Sequence, residues 1–275
     1  MTGAITAANQ LDPHSNGNLP ARSINALNNK IFHMTTKDAL KYTVDELFTG
    51  NLALVSSFGS ASVVLLHMVS KIAPDLPVLF IDTEKHFAET IDYRNKVGEE
   101  FGLTNIQSIT PNSVALANTD PDGHLWQSNP DACCALRKTA PLDAVLKPYA
   151  GWITGRKRYQ NGQRQELAFF ERDNDKIKIN PLANWNALDV ADYVDTHNLP
   201  RHPLIAKGYP SIGCAPCTSP VLNGEDERAG RWRGAEKTEC GIHFTTNQQT
   251  EITSAPADAQ QPARGDTQRR IKSWA

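Results

Sequence analysis

The chain has 275 residues, 40% of them apolar and 21% charged, with 28 Lys and Arg against 30 Asp and Glu for a net charge of −2. That length suits one large domain or two small ones, and the composition is that of a folded globular protein. The near-neutral balance excludes a global basic field for nucleic acid or anionic membrane. No apolar run approaches the roughly 18 residues of a membrane-spanning helix, so neither partner is expected.

Residues 1–30, rich in Asn, Ala, Pro and Gly, lack periodicity and read as a flexible N-terminal arm. They have no basic start followed by an apolar stretch, so no secretory signal is read and the expected location is the cytoplasm, where thiols stay reduced. LALVS at 52–56 is a continuous apolar run between Gly50 and Gly59 and predicts a buried strand, with a helix following over 61–73. A second strand at 78–81 ends at Asp82, and a helix over 87–101 follows it. Further strands are expected at 105–110 and 151–154, and an amphipathic helix at 187–197. Strand and helix in alternation imply an α/β fold with a parallel sheet sandwiched by helices. One domain is expected over 31–244, with a mobile C-terminal segment from about residue 225. The polar 245–275, rich in Gln, Thr, Pro and Ala, reads as a disordered tail.

Ligands of such folds bind at the carboxyl ends of the strands, which directs attention to the loops 56–62, 82–85 and 155–164. In SSFGSAS at 56–62, residues Ser56, Ser57, Phe58, Gly59, Ser60 and Ser62 offer small or hydroxyl side chains and backbone N–H groups to an anion at a helix N-terminus. The loop is neither a Walker A sequence nor a dinucleotide fingerprint, and an ordinary strand–helix turn has the same composition. The loop GRKRYQNGQR at 155–164 carries Arg156, Lys157, Arg158 and Arg164; a second basic cluster holds Arg228, Arg231 and Arg233. Guanidinium groups suit phosphate and sulfate oxygens, and two clusters in a chain of net charge −2 favour one compact anionic substrate over a long polyanion.

The five cysteines are Cys133, Cys134, Cys214, Cys217 and Cys240. An odd count with two tight pairs is a poor disulfide framework and a good pattern for a metal site plus a nucleophile. Four thiolates close either a tetrahedral zinc site or a cubane iron–sulfur cluster; adjacent cysteines are awkward on a single ion but can each take a separate iron. If 133–138 is helical, Cys134 and Lys138 share a face, although Pro141 limits that helix. Cys240 stands apart in KTECGIH, where cations such as Lys237, His243 or the arginine cluster would favour its reactive thiolate.

Together SSFGSAS, IDT at 81–83, CCALRK at 133–138, GRKRYQNGQR, GYPSIGCAPCTSPV at 208–221, RAGRWRG preceded by Glu227 and Arg228, and KTECGIH resemble the assimilatory adenylyl-sulfate reductases, over roughly 50–243. The resemblance implies the adenine-nucleotide α-hydrolase-like fold and thioredoxin-dependent reduction of adenosine 5′-phosphosulfate (APS) to sulfite and AMP in sulfate assimilation. It makes Cys240 the nucleophile that forms an S-sulfocysteine, with Lys138 and His243 as further candidate catalytic residues. Thioredoxin, or a glutaredoxin-like reductant, would cleave that intermediate. It makes Cys133, Cys134, Cys214 and Cys217 the ligands of a [4Fe–4S] cluster that supports substrate placement electrostatically. Ser56, Ser57, Phe58, Gly59, Ser60, Ser62, Asp82, Thr83, Arg156, Arg164, Arg228 and Arg231 become the candidate substrate-binding residues. One departure is Glu84 in Asp82-Thr83-Glu84, where the family has glycine. The rival readings are the same chemistry on the 3′-phosphorylated substrate (PAPS), an ATP-dependent thiolating enzyme, and a zinc-stabilised nucleotide-binding module. The oligomeric state stays open, a homo-oligomer included.

Overall fold

The computed structural model describes residues 21–160, 164–235 and 237–243. The expected tail at 245–275 and the first twenty residues of the expected arm lie outside the described residues. Residues 21–30 of that arm are instead structured. Ala21–Ile31 forms α1, because Ile24, Leu27 and Ile31 recur at helical spacing and pack on the core, while the Asn28 side chain pairs with the backbone of Phe170.

Thr36–Tyr42 (α2) runs into a π turn at Thr43–Leu47, and the sheet begins with β1 (Leu52–Val55). Then follow α3 (Ser62–Ser70), β2 (Val78–Ile81), α4 (Ala88–Phe101) and β3 (Ile106–Ile109). Short helices α5 (Ser113–Thr119), α6 (Leu125–Ser128), α7 (Pro130–Cys134) and α8 (Ala140–Val145) lead to β4 (Gly151–Ile153). The chain continues through β5 (Phe170–Asp173), β6 (Lys176–Ile179) and α9 (Ala187–Thr196), the last opened by an Asn186–Asp189 capping box.

The six strands lie in the order β3-β2-β1-β4-β6-β5, parallel except for the β5–β6 hairpin. The antiparallel edge is a feature the parallel-sheet expectation lacked. Its turn is made by Asn174 at φ +57°, a left-handed conformation that Asn tolerates well. Alternate strand residues serve opposite faces. Leu52, Leu54, Val78 and Phe80 join the larger core under α1–α4 and α9, whereas Ala53, Leu79, Ile81 and Trp152 join Leu142 and Leu146 on the thinner face. Both faces are covered, which is why β1 and β2 read as unbroken apolar runs.

From β1 the chain moves outward through β2 and β3, then returns to place β4 on the other side of β1. A crevice opens outside the strand ends where that direction reverses, and the loops after β1 and β4 flank it.

Candidate active site

A cavity of about 220 Å³ occupies this crevice. Of the residues expected to hold substrate, Ser56, Ser57, Gly59, Ser60, Ser62, Thr83, Arg156, Arg164, Arg228 and Arg231 line it, together with Lys138, Cys240 and His243. Phe58 and Asp82 do not. Phe58 sits at φ +49° with its ring fully buried edge-on against Phe80, so its side chain anchors the loop to the core while the small residues around it face the cavity. The Asp82 carboxylate accepts the Glu84 N–H at 3.0 Å and shapes the turn. Glu84 is left-handed at φ +59°, the conformation that glycine adopts most easily, and its carboxylate turns to Arg137 at 3.3 Å rather than into the cavity.

The four cysteines expected to bind metal line a second, small cavity next to the first. None of the five cysteines is in a disulfide. Cys133 and Cys134 end α7, and the chain then makes a π turn over Ala135–Thr139 before α8. Pro141 explains the turn: it lacks an N–H and its ring displaces the Arg137 carbonyl, so the Ala140 N–H bonds back to Ala135 instead. Cys214 precedes and Cys217 ends a 3₁₀ turn tied to the 82–85 loop by the Ala215 N–H to Lys85 O bond of 2.7 Å. Thr83, Lys138 and Cys214 line both cavities and form the wall between them, with Thr83 Oγ1 at 3.2 Å from Cys214 Sγ. Arg137, which sequence reasoning left without a role, fixes this wall. It donates to Asp120 at 2.8 and 3.2 Å and to the Thr83 carbonyl at 3.0 Å.

Cys240 is buried at the main cavity. A hydrogen bond from the Cys134 thiol holds it well below the ordinary thiol range, helped by Lys138 and Arg231 against the cost of burial. Cys134 is raised by the same bond and by burial. Burial disfavours the Lys138 charge, yet the neighbouring sulfurs, that of Cys240 first, outweigh it and hold the ammonium above its usual value. His243 reaches the site, but not as a cation. Burial among Arg156, Arg164, Lys178 and Arg228 holds it far below the usual imidazole value, so it is neutral and cannot favour the thiolate by charge.

The arginines divide by partner. Arg156 pairs with Glu171 and donates to Asn180 Oδ1 at 3.0 and 3.2 Å. Arg164 grips Glu239 at 2.6 and 2.8 Å, and Arg228 reaches the Thr238 carbonyl at 3.2 Å and Glu239 at 3.5 Å. Arg231 lies 4.5 Å above the ring of Trp232, and its buried Nε has no protein partner. It passes over Gly213, where a Cβ would lie 2.2 Å from its Nη2, and a Cβ at Gly230 would meet the Ser219 carbonyl at 2.0 Å. Lys157, buried at the cavity, is pushed down to about 7 by burial and by Arg164, with Glu227 opposing. Sequence reasoning counted Lys157 in the cationic 155–164 loop without giving it a role of its own, and it gave none to Trp232 or Glu239. The run of cations around 156–164 was a signal for the first, and Trp232 stands inside the second run against Arg228, Arg231 and Lys237, whereas Glu239 depends on Arg164, far away in sequence.

Residues 51–220 match the phosphoadenosine phosphosulfate reductase domain. The chain belongs to the phosphoadenosine phosphosulfate reductase family. Among the family's proteins, the adenosine 5′-phosphosulfate reductase of Mesorhizobium japonicum is 52% identical over 213 residues, 78% of this chain and 84% of the relative. The phosphoadenosine 5′-phosphosulfate reductase of Gloeobacter violaceus is 41% identical over 201 residues, 71% of this chain and 83% of the relative. The crystal structure of phosphoadenylyl-sulfate reductase from Candida auris, in complex with phosphate, superposes with a TM-score of 0.62 at 30% identity, covering 74% of this chain and 98% of that one. The family places the mostly parallel sheet and its helices in the adenine-nucleotide α-hydrolase-like fold. The matched domain includes the four clustered cysteines, while Cys240 lies beyond it. Among the described residues no helix is long and apolar enough to cross a membrane.

Proposed function

We propose that this chain reduces adenosine 5′-phosphosulfate to sulfite and AMP, with Cys240 as the nucleophile and a dithiol protein of the thioredoxin class as reductant. The observation that carries the reading is that Cys240 lines the same cavity as the serine-rich 56–62 loop, Lys138 and Arg231. The Cys240 thiolate attacks the sulfate sulfur. The bond from that sulfur to the bridging oxygen breaks, AMP leaves with the electron pair, and Cys240 carries an S-sulfonate. A thiolate of the reductant then attacks Cys240 Sγ and expels sulfite, and the second thiol releases Cys240 as the reductant becomes a disulfide. The dithiol supplies both electrons. Backbone N–H groups and hydroxyls of 56–62 suit the nucleotide phosphate, and Lys138 and Arg231 offset charge at the sulfate.

Cys133, Cys134, Cys214 and Cys217 would hold an iron–sulfur cluster. Four unbridged thiols around one cavity, with Lys85, Arg137 and Lys138 beside them to offset its charge, fit that group. Cys133 and Cys134 are adjacent, awkward as ligands of a single zinc ion but able to take separate irons, which favours the cluster over zinc. When bound, the cluster supplies a fixed charge next to the substrate. With Cys134 given to iron, its hydrogen bond to Cys240 is lost, and Lys138 and Arg231 remain to favour the thiolate.

The test is sulfite release by anaerobically purified protein with reduced thioredoxin, APS and PAPS being compared side by side, and iron content and visible absorbance being measured on the same sample. Preference for APS with bound iron is expected. Turnover of PAPS alone would keep the chemistry and replace the substrate, a reading that the Gloeobacter violaceus and Candida auris relatives favour by their names.

A further inference from the structure

Residues 237–243 are held to the body of the protein by both polar and apolar contacts, with Glu239 and Cys240 buried and Arg228 reaching the Thr238 carbonyl at 3.2 Å and Glu239 at 3.5 Å. Ile242 packs beside Trp152 on the thin face of the sheet, and Lys237 pairs with Asp131. The strongest contact is that of Glu239. Its carboxylate takes Nε and Nη2 of Arg164 at 2.6 and 2.8 Å, with both side chains under one-tenth exposed (4% and 7%). One of the same oxygens, Oε1, accepts the backbone N–H of Cys240 at 2.9 Å. The carboxylate therefore connects the nucleophile's own peptide to the loop that follows β4. The remaining fork of Arg164, through Nη1, is taken by Gln160 Oε1.

We propose that Glu239 is a positioning residue whose two-pronged pair with Arg164 latches the 237–243 segment over the cavity, and that Arg164 serves this latch rather than binding substrate. The inference rests on the reductive role of Cys240 and specifies how that role is controlled. The nucleophile must be enclosed while it takes the sulfonate, then exposed while a protein-sized reductant removes it. A buried ion pair suits such a switch. Its attraction is largely offset by the cost of removing both charges from water, so the closed state is specific in geometry yet inexpensive to open when both partners rehydrate together. An apolar anchor of similar area would return no such hydration on opening.

The two roles of the segment separate experimentally. Tryptic cleavage after Lys237, followed as release of peptide 238–264 from the full chain, reports opening without any substrate. Glu239→Gln is expected to accelerate it on the order of tenfold or more, since one buried charge is left without its partner. Arg164→Gln, which removes the pair from the other side, should do the same. With APS and no reductant, sulfonate transfer to Cys240 should slow in Glu239→Gln by a similar factor, while release of sulfite from a pre-formed adduct by reduced thioredoxin is not slowed. The double variant should be no worse than Glu239→Gln alone, because that change already removes the pair with Arg164 along with the longer one to Arg228. Unchanged cleavage in both single variants overturns the latch, and so does equal slowing of both chemical steps. Additive losses in the double variant overturn the assignment of Arg164 to the latch alone. Absence of any adduct in the wild-type chain would sink the reductive role itself, leaving the latch to be judged by cleavage.

Discussion

Replacing Asp120 by Asn removes the charge that holds Arg137, and with it the wall between the two cavities. Both side chains are almost fully enclosed, at 2% and 5% exposed. The carboxylate accepts Arg137 Nη2 at 2.8 Å and Nε at 3.2 Å on one oxygen, and the Leu125 N–H at 2.8 Å on the other. An amide cannot satisfy both sides. One of its positions becomes a donor facing either a guanidinium or a backbone N–H. Breaking a buried pair from one side costs about 3–5 kcal/mol. The lower end applies here, because the half-exposed Glu84 still faces Arg137 at 3.3 Å. For a domain of this size, about 3 kcal/mol lowers the melting temperature by roughly 6–12 °C. Since Arg137 lies three residues from Cys134 and also binds the Thr83 carbonyl, iron per chain should fall with it. The assay is thermal unfolding by circular dichroism with iron analysis on the same preparation. Glu84→Gln is the control, its half-exposed pair being worth at most about 1 kcal/mol. A melting temperature for Asp120→Asn within about 2 °C of wild type, with full iron content, would refute the reasoning.

Gly213→Ala should displace the Arg231 guanidinium, which can move because it ends a flexible side chain. APS affinity is then expected to fall about 10–100-fold, the worth of a charge-assisted bond, with little change in melting temperature; an unchanged KM would contradict the role of Arg231. Gly230→Ala meets the Ser219 backbone instead and should yield little folded protein on expression, so recovery of a stable, active variant would contradict that packing. Lys157 binds its proton less tightly when folded, at about 7, than the ordinary lysine value of 10.5. Between those values the unfolded chain takes up the proton and the folded chain does not, so this residue makes stability rise with pH across that window and burdens the fold at its lower end by roughly 4–5 kcal/mol. Lys157→Met should therefore be more stable than wild type in denaturant titrations near pH 7, the gain shrinking toward pH 10. A gain independent of pH would show that Lys157 binds its proton as tightly in the fold as in the unfolded chain.

Much of the frame was legible because burial on both faces leaves an unmistakable trace. β1 and β2 are unbroken apolar runs, and the loops that follow them bring the 56–62 serines and Thr83 to the crevice. The cysteine spacing likewise separated four clustered thiols from Cys240. Other features are encoded in interactions that a linear reading does not display. The period of Ile24, Leu27 and Ile31 was present but masked by the surrounding Asn residues. Phe58 reads as part of an anion loop, yet its left-handed backbone turns the ring into the core. His243 reads as a cation beside a cysteine, and only the arginines converging on it make it neutral. Glu239 finds its partner 75 residues away. No local pattern in KTECGIH announces that pairing, and a carboxylate next to a nucleophile for an anionic substrate looks unfavourable until Arg164 is placed against it.

The central claim is that Cys240 itself carries the sulfonate. Full-length, iron-containing protein is incubated with APS in the absence of any thiol, digested and mapped by mass spectrometry. The account predicts a gain of one SO₃ group on peptide 238–264, located at Cys240, lost with stoichiometric sulfite when reduced thioredoxin is added and absent from Cys240→Ser. Sulfite production with no adduct on Cys240, or undiminished turnover by Cys240→Ser, would contradict it.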